Sequence, residues 1–117
     1  MNIEITTDEA GHLLCTLDDG VERALVTASN APGAGDALMA ALDEARNTGL
    51  GECLWDVPGG EYRWMFRCEG DRLTVAVMWS AGVITGWQHV FRTDCEAGPF
   101  AERVHAEVAG AIVARQP

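Results

Sequence analysis

The side chains best suited to chemistry in this chain are three histidines (His12, His89, His105) and four cysteines (Cys15, Cys53, Cys68, Cys95). Structural zinc sites are built on close ligand pairs, because a short knuckle presents two ligands together. The chain has no Cys-x-x-Cys. His12 and Cys15 are the nearest pair, and three residues apart in a strand they face opposite sides. A nucleophilic Cys–His pair needs a thiolate activated beside a base. The period-two pattern puts Cys68 beside Leu73, and His89 with Trp87 and Phe91, on a face expected to be apolar. The expected role of both is packing, unless the sheet opens a cleft there.

Other motifs fail on their own terms. Gly33-Ala34-Gly35 has the start of a dinucleotide loop, but the next required glycine position holds Leu38. His105-Ala106-Glu107 has the His-x-Glu half of a zinc deaminase signature without its Pro-Cys-x-x-Cys partner. There is no P-loop, nucleophile elbow or His-Glu-x-x-His. No catalytic residue, metal ligand set or cofactor is therefore assigned.

The more informative set is a surface. Arg63, Met65 and Arg67 alternate with an apolar series, and so do Thr74, Ala76 and Met78, with Arg92 able to extend the set. Arginine suits carboxylate or phosphate recognition, and methionine suits adaptable contacts. The simplest account is a solvated sheet face with its arginines paired to Glu61, Glu69 and neighbours; N-terminal strands or a second copy could also cover it. The candidate binding residues are Arg63, Met65, Arg67, Met78, Trp87, His89 and Arg92.

Those residues need a sheet to position them. Tyr62, Trp64, Phe66 and Cys68 alternate with polar neighbours, and after Gly70-Asp71 so do Leu73, Val75, Val77 and Trp79. A two-residue loop led by glycine suits a type II′ turn. It predicts the pairs Glu69–Arg72, Cys68–Leu73, Phe66–Val75, Trp64–Val77 and Tyr62–Trp79, with every apolar side chain on one face. Glu69 opposite Arg72 predicts a charge pair. Glu52–Val57 reads as a preceding strand ending at Pro58-Gly59-Gly60, and Val83–Thr93 as a following one. Two or three N-terminal strands are expected, around Ile3 and Ile5, around Leu13, Cys15 and Leu17, and from Val21 to Thr27 after Asp18-Asp19-Gly20.

Two helices are predicted. Residues 34–47 carry Leu38, Met39, Leu42 and Ala45 at helical spacing, with Asp36 as N-cap and Gly49 as stop. Residues 99–115 open on Pro99 and repeat Phe100, Val104, Val108 and Ile112, flanked by small residues. Asn30 to Gly35 is the loosest-looking stretch and too short to separate domains. The expected fold is α+β: one domain, 1–117, with an antiparallel sheet made of a C-terminal four-stranded meander plus two or three N-terminal strands. Two helices, about 34–47 and 99–115, pack on one face.

Composition bounds what such a domain can do. At 117 residues the chain can bury a conventional core. It carries 18 acids against 8 bases, a net charge of -10, and every base is arginine. A generic nucleic-acid binder or an anchor on anionic lipid needs a basic surface, so neither is expected. The acidity sits in the first half, where Asp8-Glu9, Asp18-Asp19-Glu22, Asp43-Glu44 and Asp56 are candidates for one negative surface. The uncharged run Leu73 to Phe91 approaches bilayer length, but it alternates and holds glycines, which fits two strands and a turn rather than a membrane span. Met1-Asn2-Ile3-Glu4-Ile5 lacks the basic and apolar regions of a secretory signal. The expected location is the cytoplasm, with free thiols, and the lysine-free, alanine-rich composition suggests a GC-rich bacterial genome.

The function expected from these features is a small, acidic, non-enzymatic protein-interaction module with a protein partner of basic character. A narrower version is an immunity-type inhibitor masking a basic toxin. The competing class is a small-ligand binder or enzyme with a pocket between sheet and helices, lined by His89, the tryptophans, Arg63 and Arg67. A homodimer joined through the sheet is the third reading.

Overall fold

The computed structural model describes residues 1–82 and 86–115, excluding the side chains of 113–115. Seven strands and two helices follow the order β1 (Asn2–Thr7), β2 (Leu13–Asp18), β3 (Arg23–Ala28), α1 (Ala31–Thr48), β4 (Leu50–Val57), β5 (Gly60–Glu69), β6 (Arg72–Ser80), β7 (Gln88–Glu96) and α2 (Ala97–Arg115). This is an α+β fold with its strands divided between two antiparallel sheets, β1-β2-β3 and β4-β5-β6-β7.

The β5–β6 register agrees pair for pair with the alternation: Cys68 faces Leu73, Phe66 faces Val75, Trp64 faces Val77 and Tyr62 faces Trp79. Gly70, at φ 60, supplies the positive φ that the two-residue turn requires. The expected Glu69–Arg72 charge pair does not form, although the two residues are opposite. Glu69 takes Arg67 at 2.9 Å and Arg72 takes Asp94 at 3.0 Å, because same-face neighbours on either side offer equally short reach.

Both helices begin earlier than expected. The N-cap of α1 is Asn30, not Asp36: its Oδ1 accepts the Gly33 N–H at 3.2 Å, and Pro32 lies in the first turn, where its missing N–H costs nothing. The loose-looking stretch is thus a helix start. Gly49 closes the helix with its N–H returned to the Ala45 carbonyl. Helix α2 starts at Ala97, whose N–H bonds the Asp71 carbonyl, so Pro99 falls inside the first turn. Strand β3 runs from Arg23 rather than Val21, which stands exposed in the turn. Strand β4 extends back to Leu50. Strand β7 begins at Gln88; the Val83–Thr85 part of the expected strand lies outside the described residues.

The apolar faces converge on one core. Ile3, Ile5, Leu13, Cys15, Leu17 and Val26 come from the first sheet, and Trp55, Trp64, Phe66, Leu73, Val75, Val77 and Phe91 from the second. Leu38, Leu42 and Ala45 of α1 and Phe100, Val104 and Val108 of α2 complete it. Each large side chain buried in this way stabilises the fold by about 1.5–3 kcal/mol. Helix α1 lies on β4 and β5, and α2 packs against β1 and α1. Two glycines permit this: a Cβ on Gly51 would collide with the Ala41 carbonyl, and one on Gly35 would meet Val108 Cγ1 at 2.8 Å. The Trp55 indole N–H also donates to the Ala34 carbonyl at 3.1 Å, pinning the start of α1 to β4.

Candidate functional site

With both helices on the inner side, the other face of the four-stranded sheet presents its side chains in cross-strand rows. One row is Leu50, Arg67, Thr74 and Asp94; the next is Glu52, Met65, Ala76 and Arg92; the third is Leu54, Arg63, Met78 and His89. Met65 is directly opposite Ala76 on one side and Glu52 on the other, and diagonal to Leu50, Leu54 and Met78, so Met65 and the four apolar neighbours form a patch crossed by Glu52. Diagonal neighbours in a sheet lie about 7–8 Å apart, within reach of long side chains. Leu50 and Leu54 are 66% and 52% exposed, which marks the patch as uncovered.

The charged members are mostly paired. Arg63 donates through Nε and Nη2 to Glu52 Oε2, at 3.1 and 2.6 Å, and its guanidinium sits 5.7 Å from the Trp87 ring centroid. Arg63 is therefore held between a carboxylate and an aromatic face. Asp94 accepts the Thr74 hydroxyl at 2.7 Å and Arg72 at 3.0 Å. Those bonds, helped by the field of Arg92, hold its carboxyl below the ordinary 3.8. Arg92 itself is exposed and makes no ion pair with a described residue.

Of the seven candidate residues, Arg63, Met65, Arg67, Met78 and Arg92 share this face in the expected register, with Arg67 tied to Glu69. Trp87 joins them through Arg63 and is 38% exposed. The expectation that His89 and Trp87 share the core face with Phe91 is corrected. The β6–β7 register shifts between Val77 and Met78, so Phe91 stays inward opposite Val77 while His89 turns outward opposite Met78. An extra residue at a bulge reverses the alternation beyond it. His89 Nε2 lies 3.3 Å from Glu22 of the β2–β3 turn. Cys68 points to the inner face, donating Sγ–H to the Gly70 carbonyl at 3.4 Å, so it does not meet His89.

The remaining groups are quiet. Burial pushes the Cys53 thiol up to about 12 and Cys95 to about 11, and raises Cys15 further still. Protonated thiols make poor nucleophiles and poor ligands. Among the described residues, no three His, Cys, Asp or Glu side chains gather into a metal-holding set. No helix among them is long and apolar enough to cross a membrane.

Two of the acidic groups of the first half stand at opposite ends of β2. Asp8 stands before β2, where it accepts the Ala10 and His12 N–H groups, and Asp18 and Asp19 stand at the far end of β2, accepting Gly20, Val21 and Glu22. Their first task is closing turns. Sequence reasoning missed Leu50 and Leu54, the most exposed apolar members of the patch. The signal was present: the alternation of Trp55 and Cys53 with Leu54 and Glu52 continues back to Leu50, past the glycine at 51.

These features define a class by architecture alone: a two-sheet α+β protein with the outer face of its four-stranded sheet open. Comparison with protein-family models, curated proteins and solved structures finds no match.

Proposed function

We propose that this chain is a non-enzymatic protein-interaction module that uses the outer face of its four-stranded sheet. The observation that carries this reading is the set of apolar residues Leu50, Leu54, Met65, Ala76 and Met78, crossed by the Glu52–Arg63 ion pair and bordered by Arg67, Arg92 and Trp87. Exposed apolar side chains bordered by arginine and an aromatic side chain are the composition of a protein-binding surface. Supporting it, the space between sheet and helices, where a ligand pocket was the alternative, holds the buried Trp55, Trp64, Phe66 and Phe100. The net charge of -10 favours a partner of opposite charge and speeds encounter with it.

The test places a photo-crosslinking residue at Met65 in the source organism, with Glu102 on α2 as control. A discrete protein adduct at Met65, absent at Glu102 and abolished by Met78→Glu in a chain of unchanged circular dichroism, supports the reading. Equal labelling from both positions, or no protein adduct from Met65, sinks it.

A further inference from the structure

The open face ends at an open edge. Strand β4 has a strand partner on one side only. Cys68 donates its N–H to the Gly49 carbonyl, and Val57 and Gly60 close the two-residue hairpin loop. That phase points the odd-numbered residues of β4 toward β5 and leaves the N–H and C=O groups of Leu50, Glu52, Leu54 and Asp56 pointing away. The two ends of this row are occupied: Thr48 Oγ1 donates to the Leu50 carbonyl at 3.1 Å, and Ser29 N–H to the Asp56 carbonyl at 2.9 Å. Between them, no described residue bonds the outward N–H or C=O of Glu52 or Leu54.

Edge strands β1 and β7 are covered in part by side chains, whereas edge strand β3, with Arg23, Leu25 and Thr27 in its outward phase, shows no such cover among the described residues but carries a base where β4 carries acids. The Ile5 N–H of edge strand β1 is taken by Glu107 Oε1 at 2.9 Å, and edge strand β7 is flanked by the β2–β3 turn through Glu22 and His89. Edge strands are usually blunted in such ways because unpaired backbone groups invite another strand. On β4 the blunting devices stop short of a window at Glu52 and Leu54. Exposed Leu50 and Leu54 flank that window on the open face, and a shallow groove lined by Glu44, Leu50, Glu52, Met65, Arg67 and Ala76 runs beside it, its one base, Arg67, paired to Glu69.

The geometry points to strand addition: β4 accepts an extended segment of a partner protein that is apolar opposite Leu50 and Leu54 and basic opposite Glu52. Main-chain bonds to Glu52 and Leu54 supply affinity, and alternate side chains on the open face supply selectivity. The charge preference follows from the strand itself, which carries Glu52 and Asp56 and no base, with Glu44 lining the groove. Arg63 and Arg67, the bases closest across the sheet, are committed to Glu52 and Glu69. A second copy of the chain is the poorer occupant, since it brings Glu52 and Asp56 to the same edge and another net -10. This inference rests on the interaction-module reading and adds the partner's form and chemistry.

The experiment uses the full chain and a fluorescein-labelled peptide with the core Val-Thr-Lys-Thr-Val, palindromic so that either strand direction presents the same side chains. Anisotropy should saturate. N-methylation of the peptide at alternate amides, Lys replaced by Glu in the peptide, and Leu54→Pro in the chain should each weaken binding on the order of tenfold. Proline at an edge position with an outward N–H is tolerated in a strand, so Leu54→Pro should fold; Leu54→Ala, which keeps the N–H, controls for loss of the side chain and should weaken binding less. No saturable binding, binding indifferent to N-methylation, or a peptide displaced by self-association of the chain in light scattering each overturns the proposal. The two readings fail separately: loss of strand addition leaves the Met65 crosslink and its Met78→Glu sensitivity intact, whereas failure of the face removes both.

Discussion

Glu107 Oε1 accepts the backbone N–H of Ile5 at 2.9 Å, tying the C-terminal helix to the N-terminal edge strand across nearly the whole chain. The bond gives an outward-pointing amide of β1 a partner, and Arg103 steadies the carboxylate from 3.7 Å on the same helix. Glu107→Ala leaves that amide unpaired. It should lower stability by about 1 kcal/mol, while Glu107→Gln, which keeps an acceptor oxygen, should cost less. Native-state hydrogen exchange checks this, with faster exchange expected at the Ile5 amide in Glu107→Ala.

The two buried tryptophans differ by one hydrogen bond. Trp55 Nε1 donates to the Ala34 carbonyl, whereas buried Trp64 Nε1 has no hydrogen-bond partner among the described residues. The rings lie 5.0 Å apart at their centroids, so their apolar surroundings are shared. Trp55→Phe should therefore destabilise the fold by about 1 kcal/mol more than Trp64→Phe, because only the first loses a made bond. Urea unfolding of the two variants reads the difference directly.

Thiol reactivity should follow burial. At about 12, Cys53 forms far less thiolate at pH 8 than a free cysteine at 9.0. Its alkylation by iodoacetamide should run about a thousandfold slower than that of an unfolded control. Cys15, fully buried and raised further by burial and then by the Glu107 charge, should label only on unfolding. Peptide mapping after timed labelling separates the sites; fast labelling of Cys15 in the native chain contradicts the core described here.

The contact between α1 and β4 admits no side chain at residue 51. Gly51→Ala drives a Cβ into the Ala41 carbonyl, where backbone on both sides must move. The expected cost is at least about 1–3 kcal/mol, with α1 displaced from the sheet. Gly98→Ala, where nothing lies within 4 Å, should be close to neutral. Thermal melts of the two alanine variants should differ accordingly.

Three turn and sheet carboxylates set the acid limit. The His12 N–H lowers Asp8, the Glu22 and Val21 N–H groups lower Asp19, and the Thr74 hydroxyl and Arg72 lower Asp94. A depressed folded-state value means that their contribution is present above the ordinary 3.8 and is lost as pH falls below it, through the folded values. Stability should hold from neutrality to about pH 5 and decline below about pH 4. Asp94→Asn should flatten that decline, as followed by melting temperature against pH.

Much of this was legible in the chain. The β5–β6 register, the inward Ile3, Ile5, Leu13, Cys15 and Leu17, and the buried stripes of both helices followed from alternation and helical spacing, which act over a few residues. Helix starts were less legible, because Asn30 and Pro32 in a glycine-rich stretch carry turn signals and cap signals alike.

What local pattern could not set was tertiary. Alternation separates a strand's two faces, but it cannot say which helix covers one of them, where a bulge reverses the phase, or which edge remains without a neighbour. The sequence by itself determined the apolar and the Arg–Met faces of the β5–β6 hairpin. Only the packed chain turned His89 outward at the Val77/Met78 shift, laid α1 on Gly51, closed β1 with Glu107 and left Glu52 and Leu54 open. Each of these depends on a partner distant in sequence, and short-range periodicity carries no information about such a partner.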